Sequence, residues 1–163
     1  MGYFRLFQAR TNARYRPILI DAAIWGLIAL LLNLAWEIAQ LPYYQFPASV
    51  SDAHRAYYVF HCVAGDVIIT TAIFLLTGLA LSAPDWPSKR PWTGAAIVVL
   101  TGMGYTAFSE WRNVYELNAW SYTNAMPLVF GIRVAPLLQW IFIPVATLCV
   151  YRWISARRKQ AHG

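Results

Sequence analysis

Apolar residues dominate four long stretches of the chain, and most of their polar positions collect toward one end. The first stretch runs from about Pro17 or Asp21 to Leu41 and stops before Pro42, because a proline restricts the residue ahead of it and limits the preceding helix. The others cover about 56–81, 92–113 and 134–154. At about 1.5 Å of rise per residue, each is long enough for a helix to cross a hydrocarbon layer about 30 Å thick. The pattern predicts an all-α integral membrane protein with four transmembrane helices in a single membrane domain spanning 1–163. Gly94, Gly102 and Gly104 permit close helix approach in the third stretch, and Pro144 predicts a kink near the middle of the fourth.

The connections set the expected orientation. Arg5, Arg10, Arg14 and Arg16 precede the first stretch, Lys89 and Arg90 lie in the second connection, and Arg152, Arg157, Arg158 and Lys159 close the last stretch. Short basic flanks accumulate on the cytoplasmic side, which puts both termini inside and leaves a long aromatic loop, Val114 to Gly131, outside between helices 3 and 4. Residues 1–16 are expected along the inner membrane surface. The first apolar run exceeds a signal-peptide core and lacks a small-residue cleavage site, so a retained signal-anchor is expected. Compact loops and no organelle address point to a bacterial inner (plasma) membrane.

Composition agrees with this reading. Of 163 residues, 59% are hydrophobic and 12% charged, whereas a soluble domain carries about 25% charged residues. The net charge of +6 is explained by the membrane flanks, so no nucleic-acid partner is expected. Cys62 and Cys149 lie in apolar stretches without CxxC spacing, so neither a disulfide framework nor a zinc site is indicated.

Against this background the polar positions inside the helices stand out. Asn33, Glu37 and Gln40 fall at i, i+4 and i+7, which sets a carboxyl between two amides on one helical face. A charge at the centre of a membrane helix costs roughly 3 kcal/mol, so Glu37 requires partners or a wet cavity. Counting from the outer helix ends, His61, Glu110 and Gln139 reach nearly the depth of Glu37, while Asp66 and Asn33 lie deeper. Four helices thereby offer polar groups to one layer, and the inner halves of helices 1, 3 and 4 are almost purely apolar.

These residue types suit proton transfer on an apolar molecule, since a neutral carboxyl in low dielectric can donate a proton and a neighbouring imidazole or carboxylate can accept one. Glu37, His61 and Asp66 are the expected proton-handling residues. Glu110 and Arg112 are expected to contact a polar head group, and Asn33, Gln40 and Gln139 to orient the ligand. Trp36, Asn118, Trp120 and Tyr122 complete the expected binding surface, with tryptophan faces able to stabilise a transient cation. Isomerisation, hydration or cyclisation of a lipid or isoprenoid fits this set, with no cofactor expected. Two alternatives use the same residues: a divalent-metal site, although no HExxH or paired-His spacing occurs, and a non-catalytic scaffold subunit of a homo-oligomer or larger membrane complex, in which the polar groups make interhelical bonds. P-loop, GxGxxG and GxSxG motifs are absent from the sequence, and paired-histidine haem binding is disfavoured because His54 and His162 fall outside the predicted helices.

Two local resemblances bear on the ligand. Trp36-Glu37-Ile38-Ala39-Gln40-Leu41-Pro42-Tyr43, followed by Tyr58-Val59-Phe60-His61, resembles stretches of the EXPERA group of four-helix sterol isomerases and sterol-binding proteins. Trp120-Ser121-Tyr122, with Gly131-Ile132-Arg133-Val134-Ala135-Pro136-Leu137-Leu138-Gln139, resembles part of the membrane lycopene cyclase domain, with Leu138 and Gln139 standing where that family has an acidic pair. Both resemblances imply a sterol-like or isoprenoid ligand.

Overall fold

The computed structural model describes residues 2–47 and 49–160, with the side chains of residues 2–16 and of residue 159 outside that description. Its long elements are α1 (Gly2–Gln40), α2 (Asp52–Ala80), α4 (Pro91–Trp111) and α5 (Val134–Gln160); a single-turn α3 (Trp86–Lys89) and a two-stranded hairpin, β1 (Leu128–Val129) and β2 (Ile132–Arg133), lie in the connections. Three segments are long and apolar enough to cross a membrane: Pro17–Tyr43, Asp52–Ala80 and Val134–Arg158. The protein is thus mostly helical and compatible with membrane embedding. Helix α4, with 21 residues, is not among these three.

Several element ends differ from the sequence expectation, each for a local reason. Helix α1 extends back through Pro17 to Gly2, over a stretch containing good helix formers such as Leu, Gln, Ala and Arg. The expected surface placement of residues 1–16 concerns side chains outside the described set, and His162 lies outside the described residues altogether. Helix α2 starts at Asp52, not near Ala56, because Ser51 Oγ accepts the His54 backbone N–H at 3.3 Å and caps the helix. His54, expected in a loop, therefore lies in the first turn. Helix α5 continues through Pro144.

The half of the bundle next to the α2–α4 connection is an aromatic core. Trp25 and Trp86 are fully buried, as is almost all of Phe74, and the three rings stand within 4.9–5.5 Å of one another, with Tyr151 at 6.2 Å from Trp25. Trp86 comes from the short connection after α2. Its indole N–H donates to the Phe74 carbonyl at 3.1 Å, so this proline-rich segment folds into the bundle as a plug. Two tryptophans reach their positions because α4 has no side chain there: a Cβ at Gly94 would lie 1.9 Å from Trp86, and one at Gly102 1.9 Å from Trp140. Around Gly104 a Cβ would meet nothing within 4 Å.

This contrast predicts that Gly94→Ala and Gly102→Ala lower stability by about 1–3 kcal/mol through overpacking, whereas Gly104→Ala leaves it unchanged or raised. Unfolding of the detergent-solubilised protein would compare them; equal behaviour of all three variants would refute the packing account.

Candidate functional site

The opposite half of the same bundle is built on another rule, with polar side chains pointing into its interior. Asn33, Glu37 and Gln40 are each only 3% exposed, so the i, i+4, i+7 face of α1 is the buried face. Gln139 of α5 meets it across the bundle. Its Nε2 donates to Asn33 Oδ1 at 2.8 Å and to Asp66 Oδ2 of α2 at 2.7 Å, and Asn33 Nδ2 donates to the Ala29 carbonyl at 2.8 Å. One amide thereby ties three helices together.

Above this clamp the chain leaves α1 through a turn of 3₁₀ helix, Leu41–Tyr43, with Pro42 inside it. Tyr44 is then carried back over the helix end. Its hydroxyl donates to Glu37 Oε2 at 3.4 Å and accepts from Gln40 Nε2 at 3.3 Å, while Gln40 Oε1 accepts the Trp36 indole N–H at 2.9 Å. The long connection after α4 begins with a π-helical turn, Arg112–Glu116, and returns to pair with this segment. Tyr44 and Tyr122 form an antiparallel bridge, supported by Gln45 N–H to the Ser121 carbonyl at 2.9 Å and Thr123 N–H to the Tyr43 carbonyl at 2.8 Å. Their rings stack at 4.8 Å, and the Tyr122 hydroxyl donates to Glu110 Oε1 at 3.1 Å. Burial, followed by the neighbouring Glu110 carboxyl, raises the Tyr122 phenol above its ordinary range, and burial does the same to Tyr44. Both therefore remain protonated donors at neutral pH.

Two cavities meet under this cap. The larger, about 470 Å³, has a largely apolar wall that includes Leu41, Phe46, Val50, Tyr58 and Val59 of the α1–α2 connection and α2, with Asn118 and Trp120 from the connection after α4. The smaller, about 140 Å³, is lined by Glu37, His61, Asp66, Thr106, Ser109, Glu110 and Gln139. Glu37, Tyr44, Cys62 and Trp120 line both. An apolar chamber thus opens beside a carboxyl-rich one, with Glu37 and Tyr44 at the junction.

The sequence-derived set is largely gathered here. Glu37, His61, Asp66, Gln40, Glu110, Trp120 and Gln139 line the smaller cavity, His61 from an exposed position at its rim. Asn118 lines the larger cavity in a left-handed conformation, φ 48°. Asn33 lies below as a clamp, Tyr122 acts through Glu110, and Trp36 through Gln40. Arg112 is exposed and lines neither cavity. Two residues that line both cavities were not anticipated. Tyr44 reads as an interfacial aromatic, although it continues the 33, 37, 40 spacing by one more helical step; Pro42 concealed this by signalling a helix end. Cys62 reads as an inert thiol beside His61.

Among the described residues no three His, Cys, Asp or Glu side chains gather as metal ligands would. Fold and site together define a helical membrane-type protein with a buried polar layer beneath an aromatic cap. Comparison with protein-family models, curated proteins and solved structures finds no match to the chain.

The clamp predicts that Gln139→Leu, which leaves Asn33 Oδ1 and Asp66 Oδ2 without their shared donor, destabilises the protein by about 1–2 kcal/mol. Adding Asn33→Ala should then cost less than it does alone in a double-mutant cycle; strictly additive effects would show that the amide does not couple the helices.

Proposed function

We propose that the protein binds an apolar lipid or isoprenoid in the two joined cavities and catalyses proton transfer on it, as an isomerase, hydratase or cyclase would. The observation that carries this reading is the junction itself: Glu37 lies on the wall of an apolar chamber large enough for a small lipid and of a polar chamber that supplies two further carboxyls, Asp66 and Glu110. In this reading Glu37 exchanges a proton with the bound chain. Asp66 and His61 accept or return it, and Tyr44 orients the Glu37 carboxyl through its hydroxyl. The protein would sit in a bacterial inner membrane as four spans, α4 being the fourth, with both termini cytoplasmic; the short basic flanks support that orientation.

A second reading, a non-catalytic assembly subunit, draws on the hairpin after the long connection. Val129 pairs with Ile132 across a two-residue turn, Phe130-Gly131, in which both φ angles are positive, 50° and 79°. Leu128, Val129 and Phe130 are exposed there, Phe130 completely. Such a tip suits contact with an apolar partner.

The two readings separate experimentally. Native mass spectrometry with an absorption spectrum on protein in mild detergent is expected to find a stoichiometric lipid or pigment that Glu37→Gln and Asp66→Asn lose while remaining folded, with Arg112→Ala unchanged. Retention of ligand and turnover in both carboxyl variants would remove the catalytic proposal. Loss of a co-purifying polypeptide in Phe130→Ser, with the cavity variants silent, would favour the assembly subunit.

A further inference from the structure

Charge distribution around the two cavities narrows the ligand further. Among the described residues, neither cavity is lined by Lys or Arg, whereas three carboxyls line the polar one. The Arg133 charge reaches Glu110 from outside the lining, and its guanidinium is already bonded. Arg133 donates to the Met126 carbonyl at 2.6 Å and packs 5.8 Å from the Tyr122 ring centre. Arg55 lies over Phe46 at the outer rim, 4.0 Å from Asp52, with its side chain 44% exposed. A phosphate or carboxylate head group entering the polar cavity would leave water with no cation on the cavity wall to pair with, and it would face three carboxyls; both effects oppose binding.

Hydrogen-bond inventory then separates the remaining head groups. Glu110 is 7% exposed, and its Oε2 has no donor among the described residues. Trp120, which lines both cavities, directs its buried indole N–H toward Glu110 without closing a hydrogen bond to it. An ammonium group only donates and cannot accept from that indole. A hydroxyl both donates and accepts.

We infer that the site selects a lipid alcohol: the hydrocarbon part occupies the larger cavity, and the neutral hydroxyl enters the carboxyl-lined one beside Glu110 and Trp120. This inference rests on the reading of the cavities as a lipid site.

The test is a direct comparison of farnesol, farnesylamine and farnesyl phosphate, which share one chain and differ in the head. Binding to the full chain in phosphatidylcholine nanodiscs is followed by tryptophan fluorescence, with empty nanodiscs correcting for partition. Farnesol is expected to bind at least about tenfold more tightly than either analogue, and Glu110→Gln to narrow the gap to farnesyl phosphate. Because the wild-type comparison decides the matter, a variant that fails to fold does not obscure it. Farnesyl phosphate or farnesylamine binding as tightly as farnesol would overturn the head-group inference and leave a lipid pocket standing. Binding of none of the three would overturn it together with the lipid reading.

Discussion

A bundle of apolar helices can hold side-chain amides and carboxyls in its interior only if those groups meet one another, and here the Gln139 amide makes that meeting possible. Its two N–H bonds go to Asn33 on α1 and Asp66 on α2, so one side chain sets the rotation of three helices about their axes. A small rotation of any of them would withdraw a donor from a buried acceptor, at a cost of about 1–3 kcal/mol. Polar groups thereby specify one half of the bundle, while ring packing around Trp25, Phe74 and Trp86 specifies the other.

The cap follows from the clamp. With α1 fixed in rotation, Glu37 and Gln40 face inward and the turn at Pro42 brings Tyr44 back above them. Tyr44 then serves as a backbone docking point for Tyr122, and Tyr122 reaches Glu110. Two connections that are distant in sequence are joined over the helix ends, and the space beneath them divides into an apolar chamber and a polar one. The proposed proton transfer on a lipid would use such a division, keeping the reacting chain out of water while the groups that move the proton stay hydrogen-bonded to each other.

The long apolar helices and the shared face of their polar positions were legible in the sequence because they depend on local periodicity. Asn33, Glu37 and Gln40 announce a shared face by spacing alone, and the depths of Asp66, Glu110 and Gln139 follow from counting along their helices. Helix ends were less legible. The Ser51 cap and the fold of the segment around Trp86 rest on individual hydrogen bonds and ring contacts, which an apolar-run count does not register.

By itself, then, the sequence determined the long apolar helices and which of their faces carry polar groups, since helical spacing converts directly into side-chain direction. Only the tertiary structure decided which groups meet: that Gln139 spans to Asn33 and Asp66, that Tyr44 belongs with Glu37 despite the intervening proline, and that Arg112 stands apart from the cavities. The reason is physical. A contact between two helices depends on their relative rotation and approach, which are set by packing such as Trp140 against Gly102, and no local pattern encodes a distance between residues separated by 106 positions.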